Sequence, residues 1–185
     1  MDVPEECVIC FFAEVIDYLA AEKGARVIAH SVSEIGQHPV YEVDYDGRRL
    51  VFFHPGIGAP LAAALLEEMI ARGCRKFVAC GGCGVLDREI AVGHLLLPVS
   101  AIRDEGTSYH YLPPSREVEM DPRALGAIET VLARHGTDYL RTKTWTTDAI
   151  YRETPQKVAA YLKEGCLAVD MEAAAFFAVS QFRGV

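Results

Sequence analysis

Glu172 stands in the stretch Val169-Asp170-Met171-Glu172-Ala173-Ala174-Ala175. A carboxylate among apolar residues needs hydrogen-bond donors, because burying it bare is costly. Two roles fit. The acid is stabilised in the first turn of a helix by the helix dipole, or it accepts hydrogen bonds from two adjacent hydroxyls of a ligand. Three turns follow strand-like segments: Gly56-Ile57-Gly58, Gly81-Gly82-Cys83-Gly84, and the acidic Asp170-Met171-Glu172. In open α/β sheets, ligands bind at the carboxyl ends of strands. Glycines there let backbone N–H groups approach a ligand, or they simply make tight turns. Gly56-Ile57-Gly58 also resembles the start of a dinucleotide fingerprint, but Leu61 stands where the third glycine belongs. No nicotinamide or flavin cofactor is therefore expected.

The six cysteines, at 7, 10, 74, 80, 83 and 166, form two C-x-x-C pairs. In a chain of this kind they read as reduced thiols rather than as a disulfide framework. Cys7 and Cys10 lie on a strand-like run, where residues three apart face opposite sides and cannot grip one ion. Cys80 and Cys83 lie in a glycine turn that no helix follows, unlike a thioredoxin-type site. The six histidines show no paired ligand spacing, so no metal is expected.

These turns need strands and helices to hold them. With 185 residues, 51% hydrophobic and 24% charged, the chain is long enough and apolar enough for a sizeable core. A net charge of −8 disfavours nucleic acid as a partner. No long uncharged apolar run is present, so no membrane span is expected. The first ten residues carry acids where a signal peptide carries basic residues, which points to a cytoplasmic address. Strand-like and helix-like segments alternate, the mark of α/β architecture. Strands are predicted at 7–12, 25–33, 40–45, 48–53, 76–80, 93–102, 139–147 and 166–171, with 76–80 buried. Helices are predicted at 13–23, from Pro60 to Gly73, from Asp121-Pro122 to about His135, over 153–165 and over 172–182. Asp46-Gly47 marks a type I′ hairpin turn. Residues 103–121 read as a polar, aromatic loop. The chain stops just past a helix, at Phe182-Arg183-Gly184-Val185.

Four motifs in order, H-P-G-I-G-A-P (54–60), A-C-G-G-C-G-V-L (79–86), T-T-D-A-I-Y (146–151) and V-D-M-E-A-A-A (169–175), resemble the nucleoside phosphorylase family. This family spans uridine and purine nucleoside phosphorylases and the methylthioadenosine nucleosidases. The stretch R-D-E-G-T-S-Y-H-Y-L-P (103–113) resembles the uridine phosphorylase branch. The resemblance implies a three-layer α/β/α fold around a mixed, partly barrel-like sheet. It implies one domain over 1–185, lacking the family's C-terminal strand–helix unit, in a homo-oligomer. It also implies cleavage of an N-glycosidic bond, with a nucleoside and phosphate as partners and phosphate as co-substrate. By position, Glu172 would hold the ribose 2′- and 3′-hydroxyls and Met171 would lie under the sugar. Ile150 and Tyr151 would lie near the base or sugar, Gly81 and Gly82 would line the base pocket, and Gly56, Ile57 and Gly58 would lie near ribose and phosphate.

The family's phosphate contacts are replaced in this chain. The phosphate loop reads Cys10-Phe11-Phe12-Ala13-Glu14-Val15-Ile16, and Ala79 and Gly82 stand where the family has arginine and a hydroxyl residue. A phosphate dianion would then rely on backbone N–H groups and a displaced cation such as Arg48, Arg103 or Arg152. The uracil-reading Gln and Arg of uridine phosphorylases fall near Thr154 and Gln156. Hydrolysis is the competing chemistry, with Glu14 as general base by analogy with the nucleosidases; otherwise Glu14 is an exposed helix acid. A nucleoside-binding relative without turnover is the remaining alternative.

Overall fold

Ten strands and five α-helices alternate through residues 3–185, which the computed structural model describes. They form two compact units. One holds residues up to 57, 61–82 and Val185, and the other holds 58–60 and 83–184. The α/β class is the observed one, with both sheets mixed. Each unit carries its own five-stranded sheet, and neither sheet closes into a barrel.

In the first unit, β1 (Glu6–Cys10), β2 (Arg26–Ser33), β3 (Gly36–Tyr45), β4 (Arg48–Phe53) and β5 (Lys76–Cys80) lie in the order β2-β3-β4-β1-β5. β1 runs parallel to both β4 and β5, and the β2-β3-β4 meander is antiparallel. Asp46 and Gly47 both take positive φ (51° and 75°), as a type I′ turn requires, and the Gly47 N–H donates to Asp44 Oδ1 at 2.9 Å. Helix α1 (Ala13–Glu22) buries Ile16 against Cys10, Val43 and Phe52. Helix α2 (Ala59–Arg72) buries Leu65, Leu66 and Met69.

The apolar composition of Lys76–Cys80 predicts a buried strand, yet Val78 is 47% exposed and Cys80 is also exposed. β5 is the terminal strand of its sheet and pairs on one side only, with β1. Composition reports that a strand is apolar; it does not report whether a neighbour lies on each side.

In the second unit, β6 (Gly84–Val85), β7 (Leu96–Asp104), β8 (Glu117–Glu119), β9 (Leu140–Thr147) and β10 (Cys166–Asp170) lie in the order β6-β10-β9-β7-β8. β9 sits between two parallel neighbours, β7 and β10. Trp145 on β9 is fully buried and stacks on Tyr161 at 4.2 Å. Its Nε1 donates to Asp104 Oδ2 at 3.0 Å, and that oxygen also accepts from Lys157 Nζ at 2.9 Å. Three helices complete the unit: α3 (Pro122–Arg134), α4 (Pro155–Lys163) and α5 (Ala173–Arg183). Asp121 caps α3, accepting from the N–H groups of Arg123 (2.8 Å) and Ala124 (3.2 Å), with Pro122 next to it.

The predicted loop 103–121 holds more order than its composition suggests. β7 continues through Asp104, Thr107–His110 forms a 3₁₀ turn, and β8 pairs antiparallel with β7. The organising group is the buried guanidinium of Arg103. Its Nε donates to Ser108 Oγ (2.8 Å), its Nη1 to Pro113 O (2.8 Å) and Ser115 Oγ (2.7 Å), and its Nη2 to Leu112 O (3.2 Å). Its Cζ also lies 4.1 Å from the centre of the Tyr109 ring. A polar segment thus gains its shape from one arginine rather than from apolar periodicity.

Candidate active site

The carboxyl end of β10 carries two acids with different surroundings. Asp170 accepts four hydrogen bonds. Its Oδ1 accepts from Glu172 N (3.0 Å), Ala173 N (2.9 Å) and Thr146 Oγ1 (2.9 Å), and its Oδ2 accepts from Thr144 Oγ1 (2.5 Å). Thr146 Oγ1 in turn accepts from Ala174 N at 3.0 Å. This relay satisfies the first N–H groups of α5, which have no partner inside the helix. Burial pushes the Asp170 carboxyl above its usual range, against the pull of these donors. Asp170 therefore anchors the turn, with one oxygen holding the start of α5 and Thr146 and the other holding Thr144.

Glu172 is buried, and two backbone N–H groups hold it. Oε1 accepts from Gly58 N at 2.5 Å, across 114 residues of sequence, and Oε2 accepts from Met171 N at 3.3 Å. Each carboxylate oxygen has about two acceptor positions, so each keeps one for a further donor. Burial raises its carboxyl above the ordinary glutamate value. The charge of Asp170 adds to this, while the Gly58 and Met171 donors oppose it. Gly58 holds φ at +91°, a conformation that disfavours any side chain. Alongside, β6 pairs antiparallel with β10 through Gly84↔Val169. A Cβ on Gly84 would lie 2.7 Å from Val169 Cγ1, so this close approach needs glycine.

Of the other predicted residues of this unit, Met171 joins the network through its N–H, and among the described residues no hydrogen bond links Ile150 or Tyr151 to Glu172. Met171 is half-buried beside Glu172. Ile150 and Tyr151 occupy a single 3₁₀ turn, Ile150–Arg152, and Tyr151 is 94% exposed. The Arg103 guanidinium is committed to its loop, which leaves it little freedom to meet an anion. Asp148 Oδ2 accepts from Gly106 N at 2.9 Å, which ties the turn after β9 to the one after β7.

In the first unit, the predicted residues lie at the carboxyl ends of β1, β4 and β5. Phe11 N donates to Cys80 O at 3.0 Å. The Phe11 side chain lies so close to Gly81 that a Cβ there would meet it at 2.8–3.0 Å. Gly82 has open space where a Cβ would stand. Gly56, at φ +75°, donates its N–H to His54 Nδ1 at 3.0 Å, and a Cβ on it would collide with Leu61. Ile57 is exposed, and Glu14 is exposed in the first turn of α1. A cleft of about 200 Å³ opens between α1, the start of β3 and His54, lined by Ile16, Asp17, His38, Tyr41 and His54.

Sequence reasoning passed over Thr144 and gave no individual role to Thr146, Phe11 or His54, although each lies in a stretch it singled out. The alternation in Thr-Lys-Thr-Trp-Thr-Thr does place Thr144 and Thr146 on one face and Trp145 on the other. Among the described residues, no group of three or more His, Cys, Asp or Glu could hold a metal ion, and no helix is long and apolar enough to cross a membrane.

Comparison with known proteins agrees with the fold. The family model described as "Phosphorylase superfamily" matches residues 7–185. The chain is 29% identical over 154 residues to a guanosine phosphorylase of Halorubrum lacusprofundi, covering 83% of this chain and 64% of that protein. It thus spans just under two thirds of that curated relative. The structure of a uridine phosphorylase from Vibrio fischeri superposes with a TM-score of 0.87 at 25% identity, covering 100% of this chain and 76% of the other. That of an AMP nucleosidase from Bacteroides thetaiotaomicron superposes with a TM-score of 0.85 at 25% identity, covering 100% and 78%.

Proposed function

Because the chain belongs to the phosphorylase superfamily, we propose that it cleaves the N-glycosidic bond of a ribonucleoside with phosphate as nucleophile. The observation that carries this reading is Glu172. A buried carboxylate, positioned by the N–H groups of Gly58 and Met171, keeps one acceptor site on each oxygen. Two acceptors on one rigid group match two adjacent hydroxyls of a pentose. As the C–N bond breaks, the sugar gains positive charge. A fixed anion on its hydroxyls strengthens its hold at that moment, so its contribution falls on the transition state rather than on the bound substrate. Prior tethering of both oxygens avoids reorganisation during the reaction.

Met171, beside this acid, supplies an apolar contact for the sugar. By the family resemblance, Gly81 and Gly82 serve the base and Ile57 the ribose and phosphate, while the N–H groups of Gly56 and Gly58 are already given to His54 Nδ1 and Glu172 Oε1. Ile150 and Tyr151 add contacts from the turn after β9. No cofactor takes part. The protein acts as a homo-oligomer in the cytoplasm. The relatives named as uridine and guanosine phosphorylases support nucleosides as the substrate class.

One observation favours water as the nucleophile instead. Phe11 and Phe12 follow β1 where phosphorylases carry a phosphate loop, and Glu14 is exposed one turn on. A panel of nucleosides assayed by chromatography, with and without phosphate, separates the two. Base release that yields ribose 1-phosphate and requires phosphate is the expected result. Free ribose assigns the reaction to hydrolysis. No base release from any nucleoside overturns the proposal.

A further inference from the structure

β1 and β5 are parallel neighbours in register, and their last residues, Cys10 and Cys80, are direct partners. Neighbouring strands run about 4.8 Å apart, inside the range of about 4.4–6.8 Å between Cα atoms that a disulfide spans. Partner residues in a parallel pair point to the same face, and the two thiols interact with each other. Cys80 is exposed and Cys10 is buried. This is the arrangement of an attacking thiol that a reagent can reach and a resolving thiol that it cannot. We propose that Cys10 and Cys80 form a reversible dithiol–disulfide pair, oxidised by a low-molecular-weight disulfide.

The reaction balances in two exchanges. The Cys80 thiolate attacks one sulfur of the small disulfide, forms a mixed disulfide and expels one small thiolate. The Cys10 thiolate then attacks Cys80 Sγ, forms the Cys10–Cys80 bond and expels the second. Two S–H bonds of the protein are replaced by one S–S bond. Two electrons and two protons leave on the two small thiols. Reduction by excess dithiol runs the same steps backwards.

Other pairings are less favoured. Cys83 completes the C-x-x-C motif, but the residues after Cys80 form a turn and the two-residue strand β6, with no helix to activate the first thiol. Cys7 and Cys74 also interact, yet both are buried and out of reach of a reagent in the folded chain. They serve as an internal control. Burial, with Cys10 as the next cause, pushes the Cys80 thiol up to about 11. Roughly one thiol in ten thousand is then ionised at pH 7, so the pair responds slowly to sustained oxidation. Bridging draws Cys10 Sγ away from the Phe12 carbonyl, to which it now donates at 3.7 Å, and ties the turns after β1 and β5 together.

The test incubates the whole folded chain with oxidised glutathione, blocks the remaining thiols after denaturation and maps peptides without reduction. The free-thiol count is expected to fall by two from the original six, with a cross-linked peptide pair holding Cys10 and Cys80 that dithiothreitol separates. Cys83→Ser should cross-link as the parent does. Cys80→Ser should leave Cys10 unmodified, and Cys10→Ser should stop at a glutathione adduct on Cys80. A Cys80–Cys83 bridge, a cross-link between two chains, or a stable adduct on Cys80 of the parent protein overturns the proposal.

Discussion

Replacing Glu172 with glutamine separates its proposed chemical role from any role in folding. The amide oxygen of glutamine can keep the Gly58 N–H that Oε1 now accepts. The NH2 group then faces the Met171 N–H, which loses its acceptor on Oε2. One ligand hydroxyl meets a donor instead of an acceptor, and the other loses charge assistance. Hydrogen bonds to charged groups contribute about 1.5–3 kcal/mol each. Spread over two hydroxyls, the change is about 3 kcal/mol in the transition state, or roughly 100-fold in kcat/KM. Stability should fall by no more than about 1–3 kcal/mol, because loss of a buried charge offsets the stranded Met171 N–H. Because burial raises the carboxyl of Glu172 in the fold, its ionised form opposes folding at neutral pH. A neutral replacement removes that opposition. Nucleoside cleavage kinetics and thermal unfolding of the same preparation check both halves. Wild-type kcat/KM in E172Q refutes the proposed role of Glu172. A folded variant of much lower Tm refutes the electrostatic argument.

Four further outcomes follow from the geometry. The acid limb of kcat/KM against pH should lie above the ordinary glutamate range, because activity needs ionised Glu172 and burial raises its carboxyl; a limb at the ordinary value counts against this. Stability carries the opposite sign. Glu172 and Asp170 are both raised, so their contributions are fully present below their unfolded values and are lost as pH rises through the folded ones, which urea titrations at several pH values would read. Asp170→Ala strands two threonine hydroxyls and two backbone N–H groups and should cost about 3–4 kcal/mol in urea unfolding, with Asp170→Asn milder because one oxygen remains. Gly84→Ala should lower stability by about 1–3 kcal/mol through overpacking on Val169, whereas Gly82→Ala, which meets open space, should be close to neutral by the same thermal melt.

Much of the fold was legible in residue patterns. Asp46-Gly47 announced a type I′ turn because its two positive φ angles suit few other dipeptides. Asp121-Pro122 announced a helix start because a side-chain acceptor and a preset φ favour it locally. The candidate site was legible in part. The run Asp170-Met171-Glu172 was singled out, but its division of labour was not: Asp170 holds α5 and two threonines, while Glu172 keeps an acceptor site on each oxygen. Residues 103–121 misled because a segment ordered by Arg103 carries the composition of a loop.

By itself, then, the sequence determined the alternation of strands and helices, the turns, the caps and the acid at the end of β10. These depend on preferences among residues a few positions apart. The tertiary structure alone decided that β5 is a terminal strand, that Cys10 faces Cys80, and that Glu172 is held by a glycine N–H 114 residues away. Such partnerships arise from strand order and register, which many local patterns of the same kind could satisfy and which only simultaneous packing and hydrogen bonding of the whole chain select.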